Sequence, residues 1–137
     1  MKQLILLDSE AVNALAHRSH PKHAKVVSQA QLIATRRTRR HEFNVAVPVS
    51  VRVEAGWDRA ASEWTFANRF RIADIALDGA AVDAAARIRA RTGASVTDAH
   101  LGAAIQLAAA DHVTVITSDP GDMRAVASGT RIVVIPI

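Results

Sequence analysis

Short apolar runs that do not alternate with polar residues, each followed by a stretch with helical spacing, constrain this chain more than any other feature. Leu4–Leu7 is apolar throughout and ends on Asp8. A run so short and unbroken fits a strand covered on both faces. Phe43–Val47, Ile72–Leu77, Val113–Ile116 and Ile132–Ile135 read as four further strands. Between them the spacing turns helical. Val12, Leu15 and Ala16 form a stripe after Ser9, and His20-Pro21 breaks it. Val26, Val27, Ala30 and Ile33 recur from Lys22 to about Arg37. Pro48 sits at a first helical turn, with Val49, Val53 and Trp57 following at four-residue steps. Trp64–Phe70 predicts a short helix. Asp78 predicts a cap for a helix to Thr92, with Gly93 as its stop. Thr97-Asp98 opens an alanine-rich helix from about Ala99 to Ala110, and Asp119-Pro120-Gly121-Asp122 is a turn into another. Strands separated by helices imply an α/β fold with a mainly parallel sheet of about five strands, covered on both faces. At 137 residues, half of them hydrophobic, the expectation is one domain spanning residues 1–137 with a core that needs no covalent staples.

Composition removes several classes of function. With no cysteine there is no disulfide framework, thiolate zinc site or cysteine nucleophile. No apolar run approaches the ~18 residues of a membrane span. The apolar start is too short, and too soon interrupted by acids, for a signal peptide, so the expected compartment is the cytoplasm. The net charge of +4 is unevenly spread. Between Glu10 and Glu42 there is no acid, while Arg18, Lys22, Lys25, Arg36, Arg37, Arg39 and Arg40 contribute +7 and the rest of the chain nets −3. His17, His20, His23 and His41 lie in the same stretch. Such a segment attracts polyanions such as nucleic acid, or is a solvated helical face with no partner.

In open parallel sheets ligands collect at the carboxyl ends of the strands, and that rule selects the acids worth attention. Asp8 follows the first strand directly. Asp119 follows the fourth after Thr117-Ser118, Asp98 starts a helix, and Glu54 lies about two turns into the helix after strand two. Each has a plainer use: Asp8 or Asp98 as a helix cap, Asp119 as a turn residue. Glu54, on a largely apolar helix, is the least ordinary, with Arg52 and Asp58 near it in sequence. Carboxylates gathered in a partly desolvated pocket repel one another, and a hard divalent cation with oxygen ligands relieves that repulsion. His100, two residues after Asp98, falls on another side of its helix and reads as packing or surface. Trp57, Trp64, Phe66 and Phe70 cluster within fourteen positions. Trp57 is expected in the core, and the other three are open between core, a dimer interface and a groove for a partner.

The order of apolar strand with Asp8-Ser9, Val47-Pro48-Val49 leading to Glu54, Thr97-Asp98-Ala99, and Val115-Ile116-Thr117-Ser118-Asp119 with Asp122 resembles the PIN-domain ribonucleases, specifically the VapC toxins of VapBC toxin–antitoxin pairs. The resemblance covers nearly the whole chain. It implies a three-layer α/β/α sandwich and an acidic site of Asp8, Glu54, Asp98 and Asp119. There Asp8, Asp98 and Asp119 would hold Mg²⁺ or Mn²⁺, and Glu54 would complete the shell or orient the attacking water. Asp122 is a fifth candidate ligand, and Ser9 and Thr117 would position water or phosphate. Met123 departs from the pattern, standing where an aromatic residue is common. The implied activity is metal-dependent hydrolysis of RNA phosphodiesters, with tRNA or rRNA as plausible targets. Implied partners are a VapB-like antitoxin and a second copy of the chain. Arg36, Arg37, Arg39 and Arg40 would hold RNA phosphates or meet the antitoxin. Two other readings stay open: a non-catalytic RNA-binding module and a DNA-directed nuclease. Receiver domains and haloacid-dehalogenase-type phosphatases need a late lysine, whereas Lys2, Lys22 and Lys25 are the only lysines. A nucleotide fold lacks its Gly-rich phosphate loop.

Overall fold

The computed structural model describes residues 2–36 and 42–137. Five strands, β1 (Lys2–Leu7), β2 (Glu42–Pro48), β3 (Ile72–Ile75), β4 (His112–Thr117) and β5 (Val133–Pro136), form one sheet in the order β3-β2-β1-β4-β5. Every neighbouring pair is parallel. Leu6 of β1 stands opposite Ala46 on one side and Val115 on the other. Both central strands become more buried toward their carboxyl ends: Lys2 and His112 are exposed, whereas Leu7 and Thr117 are buried. The chain therefore leaves each of these strands from inside the molecule.

The connections are α1 (Ser9–Ala16), α2 (His23–Arg36), α3 (Val49–Ala55), a single 3₁₀ turn (Ser62–Trp64) running into α4 (Thr65–Asn68), α5 (Gly79–Thr92), α6 (Val96–Leu107) and α7 (Pro120–Ala127). α1 packs on α2, α3 and α4, while α6 packs on α5, α7 and α3. The layers make an α/β/α sandwich. From β1 the chain steps outward through β2 to β3, then returns across the sheet through α5 and α6 to β4. The strand order thus reverses between β1 and β4, which is where α/β sheets of this kind bind ligands.

Most expected elements are present, with shifted ends. α3 stops before Trp57 because Gly56 turns left-handed (φ 74°) and its N–H returns to Arg52 and Val53. α6 starts earlier than Thr97 and ends at Leu107 rather than Ala110. Trp57 and Trp64 are both core residues, stacked with ring centroids 5.6 Å apart, while Phe66 and Phe70 are half-buried. Gly102 lies where α6 crosses its neighbours. A Cβ there would fall 2.6 Å from the Val126 carbonyl oxygen and 2.9 Å from Ile88 Cδ1. This glycine lets α6 approach α7 and α5 so closely.

Candidate active site

Asp8 closes the end of β1 and is almost fully buried, at 6% exposure. Its Oδ1 accepts from the Ala11 N–H at 2.7 Å, so it does cap α1. Its Oδ2 accepts from Thr117 Oγ1 at 2.6 Å and from the Ser118 N–H at 3.1 Å. Burial pushes the Asp8 carboxyl above the usual aspartate range, against the opposing pull of these hydrogen bonds. Thr117 is fully buried, donates to Asp8 and accepts from the Asp119 N–H at 2.9 Å. Its hydroxyl therefore serves to orient Asp8 and the Asp119 backbone. That corrects the expectation that Thr117 positions water or phosphate: with both bonding roles used and no exposure, it reaches the site only through Asp8. Ser9, the first residue of α1, is half-buried and its hydroxyl bonds to none of the described residues.

Asp119 caps α7, its Oδ1 accepting from the Asp122 N–H at 3.3 Å. Asp98 does not cap its helix. Ser95 does so, accepting from the Asp98 N–H at 3.2 Å, which leaves the Asp98 side chain free in the first turn of α6. Three helix N-termini, those of α1, α6 and α7, thus each carry a carboxylate of the set, and their N–H dipoles offset part of the mutual repulsion. Glu54, on a largely apolar helix in sequence, is exposed, because it falls on the last turn of the short α3. Its Oε2 accepts from Thr97 Oγ1 at 2.9 Å. Arg52 turns away from it, to Asp74 at 2.8 Å and to the Trp57 carbonyl.

The electrostatics of Asp98 show that the fold collects these groups. Its carboxyl is held above the usual range first by burial and then by the charges of Asp122, Asp8, Glu54 and Asp119. All five acids therefore lie within one field, although they come from segments more than a hundred residues apart. Asp122 is exposed, yet its carboxyl is also raised, because it hydrogen-bonds to and faces the Asp119 carboxylate. Among the described residues no cationic side chain pairs with any of the five; the ion pairs are His20–Glu10, Arg52–Asp74 and Arg59–Asp74. Asp98 and Asp122 open onto a cleft of about 330 Å³ shared with Thr92, Ser95 and Ala125. The donor set suits a hard divalent cation: all oxygen, anionic and lacking a counter-charge. As placed, no three of the described His, Asp or Glu side chains stand close enough together to hold an ion, so side-chain rotation must complete any such site.

His100, read as packing or surface, is fully buried against Ser50 and the Ala76 carbonyl. Burial keeps its pKa below the usual histidine value. Thr97 and Ser95 were missed as site residues. The signal for Ser95 was its place three residues before Asp98, a cap-like spacing. Nothing local marked Thr97, whose partner lies 43 residues away. Arg36 is exposed at the end of α2. Arg37, Arg39 and Arg40 lie outside the described residues.

No family model matches the sequence, and no curated protein matches it in sequence comparison. Solved structures do. A chain of VapBC2 from Rickettsia felis, solved bound to a DNA fragment from the promoter, superimposes with a TM-score of 0.61 at 11% identity, over 98% of this chain and 98% of that one. PAE2754 from Pyrobaculum aerophilum gives a TM-score of 0.53 at 19% identity, over 97% of this chain and 92% of that one. At such identities the likeness is one of fold. The chain has a PIN-like α/β/α sandwich, as the resemblance implied.

Proposed function

We propose that this protein is a divalent-metal-dependent endoribonuclease and the toxin of a type II toxin–antitoxin pair. The observation that carries the reading is that Asp98, near the β1/β4 reversal, lies within the field of Asp122, Asp8, Glu54 and Asp119, and that among the described residues no cationic side chain pairs with any of them. Asp8, Asp98 and Asp119 would hold Mg²⁺ or Mn²⁺, with Asp122 at the outer edge beside Asp119. Bound there, the cation would supply positive charge to the phosphate oxygens and acidify water next to them. Glu54 has one oxygen anchored by Thr97 and the other free among the described residues, so it can orient a water and accept its proton. Ser9, beside Asp8 and without a hydrogen bond to any described residue, would donate to a phosphate oxygen. Arg36, with Arg37, Arg39 and Arg40, would hold the RNA backbone through charge.

The similar fold of VapBC2, a complex solved on promoter DNA, supports a VapB-like antitoxin as partner. A homodimer and a cytoplasmic setting are part of the same reading; no helix among the described residues is long and apolar enough to cross a membrane. Incubating total RNA with Mn²⁺ or Mg²⁺ and mapping new ends, beside EDTA-treated protein and Asp98→Asn, tests the proposal. Cleavage lost with EDTA and with Asp98→Asn supports it. Cutting confined to DNA in matched substrates, or tight RNA binding without turnover at any metal concentration, overturns it.

A further inference from the structure

α3 is two turns long and follows Pro48, which gives it no side-chain cap. Val51 is its one fully buried residue. A helix this short holds its last turn only through tertiary contacts, and that turn carries Glu54. Two side-chain hydrogen bonds join α3 to α6. At the rim, Thr97 Oγ1 donates to Glu54 Oε2 at 2.9 Å. One turn deeper, Ser50 Oγ lies 2.8 Å from His100 Nδ1. Ser50 and Glu54 are four residues apart on α3, and Thr97 and His100 are three apart on α6, so each pair shares a helix face. Asp98 follows Thr97 directly. The His100 ring is completely buried, and its Nε2 faces the Ala76 carbonyl at 3.2 Å. A carbonyl only accepts, so Nε2 carries the proton, Nδ1 is the acceptor and the Ser50 hydroxyl donates. The ring is fixed at both ends, and Ser50 is tied to α6 through it.

We infer that Ser50 and His100 are a positioning pair that sets Glu54 of α3 against Asp98 of α6. The inference rests on the nuclease reading above. A pair that only satisfied two buried polar atoms would change stability and leave metal binding and cleavage alone. Two isosteres separate the cases. His100→Asn keeps an amide oxygen near the Nδ1 position and so keeps the Ser50 bond. His100→Gln keeps a donor near Nε2, toward Ala76, and loses Ser50. Ser50→Ala, at a half-buried site, removes the same bond and covers the case in which the His100 variants fail to fold.

In the full chain, Ser50→Ala and His100→Gln should each weaken Mn²⁺ binding or lower kcat about tenfold, as loss of partners behind metal ligands does, with His100→Asn within about twofold of wild type. The double variant Ser50→Ala/His100→Gln should be no worse than either single one. Amide exchange over residues 51–55 should quicken in Ser50→Ala and His100→Gln and not in His100→Asn. Wild-type Mn²⁺ affinity, kcat and exchange in Ser50→Ala, or His100→Asn failing alongside His100→Gln, would overturn the inference while the nuclease reading stood. A wild-type protein that neither binds Mn²⁺ nor cuts RNA would instead remove the nuclease reading and, with it, any positioning of catalytic groups.

Discussion

α6 and α2 are of similar length and are held in opposite ways. Of the twelve residues of α6, eight are buried, from Thr97 to Ile105. Among the described side chains of α2, Val26 alone is buried, and beneath that helix lies a cavity of about 220 Å³ lined by Leu7, Leu15, Val26, Ala30, Ile33 and Ile116, with Arg69 and Arg71 at its wall. The cause is side-chain size and polarity. Alanines and Gly102 allow α6 to sit close to its neighbours, whereas α2 spends its surface on Lys25, Gln29, Gln31 and Arg36. Asp98 stands on the tightly held helix, and Lys25 and Arg36 on the loosely held one. A site that must fix carboxylates around a cation needs rigid support. A surface that grips phosphates by charge does not.

The comparison is broken most forcefully at Asp98. Its replacement by Asn should cut cleavage by more than roughly 100-fold, since loss of even an outer-shell partner costs about 10–100-fold. It should also stabilise the fold at neutral pH. The folded pKa of Asp98 lies above its unfolded value, so its favourable contribution is complete in acid and is lost as pH rises through the folded pKa. Thermal unfolding should therefore show Asp98→Asn above wild type at pH 7, with the gap closing as the pH falls toward the ordinary aspartate range. Mn²⁺ should reverse the order. At a hundred times Kd a bound ion stabilises by about 2.7 kcal/mol, and the variant should gain little. A variant less stable than wild type at pH 7, unmoved by acid, would mean that the cluster carries no repulsion.

Added methyl groups sharpen the contrast. Gly102→Ala drives a Cβ into the Val126 carbonyl, and overpacking of this kind costs about 1–3 kcal/mol. It also pushes α6 from α7, so Asp98 separates from Asp122 and activity should fall as well. Ala30→Leu puts more carbon into the cavity under α2 and should stabilise by about 0.5–2 kcal/mol with cleavage unchanged. Denaturant midpoints moving the same way in both variants would remove the packing difference.

Much of this architecture was legible because the strands are unbroken apolar runs and the helix ends carry their own punctuation: Pro48, Asp78, Gly93 and the Asp119-Pro120 start. That Asp8 and Asp119 follow strands one and four was legible from alternation; that those strands are neighbours became known only from the sheet order. What was not legible depends on contacts between distant residues. Thr117 reads as a free hydroxyl until β4 is paired with β1, 109 positions from Asp8. Glu54 reads as sitting two turns into a longer apolar helix until Gly56 ends α3 early. Ser50 and His100 carry no signal of each other across 50 positions. Gly102 looks like a flaw in an alanine-rich helix until α7 is laid against it.

The smallest effect is expected at Arg36, the one member of the arginine run within the described residues. It is exposed at the end of α2, where positive charge is also favoured by the helix dipole for about 0.3–1 kcal/mol. The two uses differ in their response to salt. A phosphate contact releases counterions, so Arg36→Ala should lower the slope of log binding constant against log salt by about 0.7 for single-stranded RNA. Stability should move by no more than the dipole contribution. A purely helical role predicts the reverse, a small loss of stability that salt screens and an RNA-binding slope identical to wild type. Because α2 is loosely seated, filling its cavity with Ala30→Leu should leave that slope unchanged if the helix only presents charge. A slope altered by Ala30→Leu would show that the basic half is shaped for its ligand after all, and that packing under α2 matters as much there as the fit of α6 does among the acids.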